Sequence, residues 1–205
     1  MTATTLKPAQ FILASLLITF SLTTYAGVEV GKAAPDFTGV DSNGKQHSLS
    51  QYKGKTVVLE WTNHDCPYVK KHYNSGNMQK LQKDATANDI VWLSIISSKP
   101  GKQGHVSSKQ ANQLTQSRNA APTAVILDES SEIGMLYGAK TTPHMYIVDK
   151  SGQLVYMGGI DDNPSKNEDD IPTSKNYVSA GLDALAAGKS IENSITRPYG
   201  CSVKY

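Results

Sequence analysis

Two cysteines are the residues of this chain best suited to covalent chemistry. Cys66 follows an apolar run over 57–61 and precedes Pro67, a residue favoured at the first position of a helix. The pattern therefore predicts Cys66 at a helix N-terminus, where backbone N–H groups and the helix dipole favour the nucleophilic thiolate. The polar residues at 63–65 argue against full burial of its sulfur. We predict that Cys66 is a reactive thiol.

Cys201, the second cysteine, lies close to the C-terminus and leaves three roles open. It could resolve a sulfenic acid or a mixed disulfide on Cys66, form a permanent bridge to Cys66, or stay unpaired. A bridge closing so long a loop would stabilise the fold by about 4–5 kcal/mol in the chain-entropy model. The neighbouring Gly200 and the terminal position suit a mobile resolving arm.

Histidines near Cys66 offer two kinds of chemistry. His64, and His144 further along the chain, are predicted to tune the thiol pKa or to move protons. His64 or His72 with Cys66 would also make a His/Cys set suited to copper or zinc. The alternative places His64 in an exposed loop and His72 on an exposed helix face, with Lys70–Lys71 solvated. On balance we predict no bound metal and no cofactor.

The elements that must position these residues alternate along the chain. Strands are predicted at 56–62, 90–96 and 123–127, and a hairpin joins 145–149 to 153–157. Helical patterns cover 67–88, with a break at Ser75-Gly76, then 107–118, 132–137 and 178–188. We expect a small hairpin around Asn43-Gly44, a surface loop at 163–175 and a turn-rich tail. Alternation predicts an α/β domain whose central mixed sheet has parallel core strands and a late antiparallel hairpin, flanked by helices.

The N-terminus has the pattern of a secretory signal. Lys7 precedes an apolar run at 11–22, and Thr24-Tyr25-Ala26 offers small residues at the usual cleavage positions. The run is shorter than the about 20 residues that span a bilayer comfortably. We predict a signal peptide at 1–26, cleavage after Ala26, and one domain at 27–205. The mature protein would be secreted or periplasmic, without stable membrane insertion, where disulfides persist.

Composition excludes some partners. The 205 residues carry a formal net charge of +2, and the basic residues are scattered without a stripe. Nothing here favours nucleic acid or an acidic membrane surface as a partner. Two cysteines without a Cys-x-x-Cys spacing also exclude a disulfide-rich scaffold.

The sequence resembles the thioredoxin fold in its peroxiredoxin-like branch, the redoxin or alkyl hydroperoxide reductase/thiol-specific antioxidant group. The matching features span most of the mature chain: Gly31-x-x-x-Pro35-Asp36-Phe37, Asn43-Gly44-Lys45, Leu49-x-x-Tyr52-Lys53-Gly54-Lys55, Trp61 with Cys66, and Thr142-Pro143 before a strand. The resemblance implies that Cys66 begins the active-site helix and that Pro143 is a cis-proline facing it. It also implies that the Thr142 edge pairs with a substrate chain or holds a mixed disulfide, with Asn63 and Trp61 beside the substrate.

Two departures separate this chain from the better-known members of that group. Thioredoxins carry a second cysteine where this sequence has Val69, so Cys66 lacks a local partner. Peroxiredoxins carry a proline and a threonine seven and three residues before the cysteine, where Leu59 and Asn63 stand here. The chain is similar to a subgroup with Trp-Thr-Asn-x-x-Cys-Pro and a Gly-Cys near the C-terminus.

These observations favour a thiol-based oxidoreductase of antioxidant type, using Cys66 with Cys201 or an external thiol. Its partners would be a thiol- or disulfide-containing protein or small molecule, or a peroxide, together with an external thiol reductant. A metal-handling protein and a non-catalytic module with a structural Cys66–Cys201 bridge remain as alternatives.

Overall fold

The computed structural model describes residues 1–2 and 27–205. The predicted signal peptide and its cleavage site therefore lie almost entirely outside the described residues. Within the described part of the chain, no helix has the length and apolar character needed to cross a membrane.

Nine strands and five α-helices make up the described chain. The strands are β1 (Thr38–Val40), β2 (Gln46–Ser48), β3 (Val57–Trp61), β4 (Val91–Ile96), β5 (Ala124–Leu127), β6 (Thr141–Thr142), β7 (His144–Val148), β8 (Leu154–Gly158) and β9 (Cys201–Ser202). The helices are α1 (Pro67–Asn74), α2 (Asn77–Ala87), α3 (Ser108–Ser117), α4 (Glu132–Tyr137) and α5 (Tyr177–Ala186). Short 3-10 helices lie at Ser50–Tyr52 and Glu168–Thr173.

A five-stranded mixed sheet in the order β5-β4-β3-β7-β8 forms the centre. β3 runs parallel to β4 and antiparallel to β7, and β8 pairs antiparallel with β7. The predicted mixed sheet, with parallel core strands and a late hairpin, is confirmed. Trp61, at the end of β3, is paired with His144 at the start of β7. This register brings the Thr142–Pro143 turn to the same edge of the sheet as the loop that carries Cys66.

Alternation along the central strands divides the core between two faces. Val57, Leu59 and Trp61 pack on one face with residues of α4, and Val58 packs on the other with residues of α1, α2 and α5. Both faces of β3 are thus covered, which explains its nearly continuous apolar sequence.

The predicted break in the active-site helix is confirmed. α1 ends at Asn74, and Gly76 adopts a positive φ of 77° before α2 begins. Glycine reaches this left-handed conformation without the steric cost that a side chain adds. The hairpin around Asn43-Gly44 is also confirmed, as β1 pairs antiparallel with β2.

Two segments hold more regular structure than the sequence indicated. The stretch 163–175, predicted to be a loop, contains the 3-10 helix Glu168–Thr173. The turn-rich tail contains β9, which pairs antiparallel with β6 so that Cys201 lies opposite Thr142. The sequence predicts neither β6 nor β9, because each has only two residues, too few to show a periodicity.

Candidate active site

Cys66 lies at the N-cap of α1, with Pro67 at the first helical position as predicted. Its side chain is fully buried, with 0% exposure. The expectation that its polar neighbours prevent full burial is wrong. The sulfur belongs to the apolar cluster that includes Val69 and Tyr73 of α1, and the C-terminal tail lies over it.

The turn before β7 supplies the opposite wall of the site. The Thr142–Pro143 peptide bond is cis, as the resemblance implied. The Cys66 thiol donates a hydrogen bond of 3.1 Å to the Thr142 carbonyl oxygen. Thr142 is itself 3% exposed, and its hydroxyl lies 3.5 Å from the Cys201 carbonyl oxygen.

The β6–β9 pairing brings the second cysteine to the first. The Cys201 backbone N–H donates to the Cys66 sulfur at 3.4 Å, across 135 positions of sequence. Both cysteines are free thiols in this structure, and Cys201 is partly exposed. The tertiary structure thus places in contact two cysteines that the sequence separates widely.

The two thiols differ in acidity. Burial acts to raise the pKa of Cys66, but the Cys201 thiol, the N–H groups of Val69 and Cys201, and Thr142 all favour the thiolate. The net result is a pKa for Cys66 below its ordinary value. Burial and the adjacent Cys66 sulfur raise the pKa of Cys201 to about 11. Cys66 is therefore the more acidic thiol of the pair.

Trp61 and Asn63, predicted to lie beside the substrate, are buried. The Trp61 indole N–H donates to Ser97 Oγ at 3.0 Å, and its ring packs on Tyr137 and Tyr146 in the core. The Asn63 amide donates to the Gln103 carbonyl and accepts from the Asp65 N–H. Both residues shape the loop before Cys66 rather than line an open surface.

His64 and His144 do not approach the thiol through any hydrogen bond or ion pair among the described residues. His64 lies 3.5 Å from the Asp65 carboxylate, and burial lowers its pKa. His144 is 5% exposed, contacts the Tyr146 hydroxyl at 3.1 Å, and has a pKa lowered by burial to about 3. The proposed tuning of Cys66 by either histidine stays a prediction, with no direct contact to support it.

Lys71 and His72 are buried, with 1% and 0% exposure. The predictions of a solvated Lys71 and an exposed His72 are wrong, although Lys70 is exposed as expected. The Lys71 ammonium lies 3.5 Å from Asp161 and donates to the Asn163 carbonyl at 3.0 Å. Helical spacing did not reveal this, because the loop at 158–167 covers that face of α1 only in the folded chain.

His72 links α1 to the tail through a chain of hydrogen bonds. Asn77 donates to His72 Nδ1 at 2.8 Å, so the neutral ring carries its proton on Nε2. Nε2 lies 3.1 Å from the Tyr199 hydroxyl, which donates to Asp161. Burial and the Lys71 ammonium lower the pKa of His72 to about 3 and keep the ring neutral. Tyr199 precedes Cys201 by two residues, so this chain of bonds fixes the tail where it crosses Cys66.

Glu60 is a buried carboxyl group that sequence reasoning missed. It is 0% exposed, in the middle of β3. Tyr73 donates to one oxygen at 2.8 Å, and the other accepts from Trp92 Nε1 and Ser94 Oγ at 2.8 Å and from Gln82 at 3.1 Å. Burial raises the pKa of Glu60 despite these donors. A glutamate inside an apolar strand was the available signal.

Metal ligands do not converge in the described chain. Across residues 27–205, no group of three or more His, Cys, Asp or Glu side chains is arranged to hold an ion. Both ring nitrogens of His72 are already in hydrogen bonds, so it is not free to join Cys66 as a ligand.

A cysteine at a helix N-terminus, facing a cis-proline across a mixed sheet, defines a thioredoxin-like fold. Solved structures agree with this assignment. A crystal structure of an uncharacterized conserved protein from Geobacillus kaustophilus superposes with a TM-score of 0.74 at 24% identity, covering 86% of this chain and 92% of that one. A hypothetical protein from Sinorhizobium meliloti gives a TM-score of 0.72 at 20% identity, covering 87% and 96% of the two chains.

The chain belongs to the AhpC/TSA family, whose model matches residues 30–157. It is similar to the thiol-disulfide oxidoreductase ResA of Geobacillus thermodenitrificans, with 26% identity over 150 residues, or 70% of this chain and 80% of that protein. The thioredoxin-like protein YneN of Bacillus subtilis is 28% identical over 135 residues, covering 64% and 74%. The family match ends before the tail, so Cys201 lies outside it.

Proposed function

We propose that this protein is a thiol–disulfide oxidoreductase that cycles between a Cys66/Cys201 dithiol and a Cys66–Cys201 disulfide. The observation that carries the proposal is the 3.4 Å contact between the Cys201 N–H and the Cys66 sulfur, made by a tail paired to the cis-proline edge. The lowered pKa of Cys66 supports a thiolate ready for exchange. The similarity to ResA proteins supports the same reaction class.

We further propose that the domain at 27–205 works outside the cytoplasm, in the periplasm or after secretion, once residues 1–26 have been removed. The signal-like N-terminal sequence supports this location, where a disulfide can persist. N-terminal sequencing of the exported protein should begin at Gly27. The partners would be thiol- or disulfide-containing proteins or small molecules, with an external thiol as reductant.

Peroxide reduction has less support from the site. Asn63, in the position of the peroxiredoxin threonine, has its amide engaged by Gln103 and Asp65. The Arg118 guanidinium, a cation close to this loop, donates to the His64 carbonyl and stacks on Tyr73. Both groups thus make contacts within the protein, away from the Cys66 sulfur.

The proposal is tested by equilibrating the purified protein in glutathione redox buffers and counting its free thiols. Both thiols should disappear together as one intramolecular disulfide, and Cys66→Ser should abolish any disulfide reductase activity. Cys201→Ser is the matched variant, because it retains Cys66 but should form no intramolecular disulfide. No intramolecular disulfide, or full activity in Cys66→Ser, would contradict the proposal. A reduction potential below about −300 mV would instead favour a structural bridge.

A further inference from the structure

Access to the two sulfurs is unequal. Cys66 is fully buried among apolar side chains, and the Thr142 carbonyl and the Cys201 backbone lie directly against its sulfur. Cys201 is partly exposed. Thiol–disulfide exchange needs the attacking sulfur to reach the attacked sulfur, so access decides which of the two is attacked.

The tail that covers Cys66 is fixed through its backbone and through Tyr199. β9 pairs with β6, and a Cβ on Gly200 would lie 2.0 Å from the Thr142 oxygen, so the two backbones are in direct contact. Tyr199 is held by His72 and Asp161. These contacts keep the cover closed while leaving Cys201 partly exposed.

A surface cavity adjoins the tail segment just before Cys201. A cavity of about 460 Å³ is bounded by Thr141, Asp162, Arg197, Tyr199 and Gly200, next to Cys201 in the chain. Its lining includes Gly200, the neighbour of Cys201, but not Cys201 itself.

We propose that external partners are joined to this protein at Cys201 and not at Cys66, an assignment that rests on the proposed thiol–disulfide exchange function. The thiolate of an external thiol forms a bond to Cys201 Sγ, while the Cys66–Cys201 bond breaks and Cys66 leaves with the electron pair as a thiolate. A second external thiol then attacks the mixed disulfide and releases Cys201, which takes up a proton. Two external thiols become one disulfide, and the protein disulfide is reduced.

In the opposite direction, the Cys201 thiolate attacks an external disulfide, and Cys66 then attacks Cys201 Sγ to expel the bound partner as a thiolate. Cys66 thus acts only inside the protein. Acidity supports the first direction, in which Cys66 leaves, because the thiol of lower pKa is the better leaving group, and the pKa of Cys66 is lowered while that of Cys201 is raised. The sequence had assigned the first attack to Cys66, a role that its burial opposes.

The test compares single-thiol variants with the aromatic disulfide DTNB as the external disulfide. Cys66→Ser retains Cys201 and should form a stable mixed disulfide at that residue. Cys201→Ser retains the tail over Cys66 and should react about tenfold more slowly, or not at all, because its sulfur is enclosed. In urea both variants should react at the same rate, which shows that access and not intrinsic reactivity separates them. Circular dichroism verifies that each variant is folded.

A second test uses the native protein. Its disulfide form is mixed with glutathione, quenched with acid and cleaved with trypsin, which separates Cys66 in peptide 56–70 from Cys201 in peptide 190–204. Glutathione on the 190–204 peptide is the expected result. Glutathione mainly on the 56–70 peptide, or a faster DTNB reaction in Cys201→Ser, would overturn the assignment while leaving the exchange function intact. Failure of the native protein to form its disulfide would reject the proposed function itself.

Discussion

At the scale of single residues, the site depends on where the Cys66 thiolate finds its stabilising contacts. Part of that stabilisation comes from the N-terminus of α1, as the Cys-Pro sequence indicates. The rest comes from Cys201 and Thr142, which reach Cys66 only through the β6–β9 pairing. The Tyr199 hydroxyl links this tail to His72 of α1 by a hydrogen bond.

Removing that hydroxyl should weaken the link between the two thiols. In Tyr199→Phe, His72 Nε2 loses its partner and Asp161 Oδ1 keeps only the Asn163 N–H, so we expect the free energy of unfolding to fall by about 1–3 kcal/mol. The tail should cover Cys66 less completely, so iodoacetamide should modify Cys66 faster. The glutathione equilibrium should also move from the Cys66–Cys201 disulfide toward the dithiol.

Tyr137→Phe is the matched control, because it removes a hydroxyl that donates to the Pro35 carbonyl at 2.6 Å, away from the tail. Tyr137→Phe should lower the free energy of unfolding without altering the rate at which Cys66 is modified or the glutathione equilibrium. Equal effects of the two substitutions on Cys66 modification would show that Tyr199 has no specific role in holding the tail.

At the scale of elements, the buried carboxyl group of Glu60 connects β3 to its neighbours. Its hydrogen bonds reach Tyr73 on α1, Gln82 on α2, and Trp92 and Ser94 on β4. The network therefore holds the helix that carries Cys66 against the sheet. None of the four donors is close to Glu60 in sequence.

Glu60→Ala should lower the free energy of unfolding by at least about 3 kcal/mol, since several buried donors lose their acceptor and each unsatisfied group costs about 1–3 kcal/mol. Urea unfolding followed by tryptophan fluorescence measures the loss. Glu192→Ala, which removes an exposed carboxylate 3.8 Å from Lys175, should change stability by less than about 1 kcal/mol. A loss for Glu60→Ala as small as that of the control would mean that the network adds nothing to the fold.

At the scale of the whole molecule, stability should depend on pH through two buried histidines. His72 and His144 both have a pKa lowered to about 3 by burial. Below pH 6.5 the unfolded chain binds protons at these residues while the folded chain does not, so stability is lost as the pH falls toward 3. Glu60, whose pKa is raised, acts in the opposite sense, gaining stability as the pH falls.

Each histidine should therefore lower the free energy of unfolding by about 2 kcal/mol when the pH falls from 6.5 to 4.5. Urea unfolding at these two pH values measures the total, and His72→Gln should reduce the difference by the share of one histidine. The glutamine amide can still donate toward Tyr199, which limits the disturbance to the tail. An unchanged pH dependence in His72→Gln would mean that His72 is already charged in the folded protein.

The sequence by itself determined the central strands, the break between the first two helices and the position of Cys66 at a helix start. Periodicity located the central strands, Gly76 marked the break between α1 and α2, and the Cys-Pro step placed Cys66 at a helix start. These features follow from local backbone preferences and from the apolar pattern of each segment, which a reader of the sequence can see directly.

Tertiary structure alone decided the surroundings of Cys66. The burial of its sulfur, the acceptor role of Glu60, and the contacts of Tyr199 with His72 and Asp161 all join residues that are distant in the chain. Whether a side chain is buried depends on which elements pack against its face of a helix or sheet. The local spacing of residues does not predict that packing. The pairing of a two-residue tail strand with the cis-proline edge brought Cys201 to Cys66 and closed the site over a thiol whose full burial the sequence had argued against.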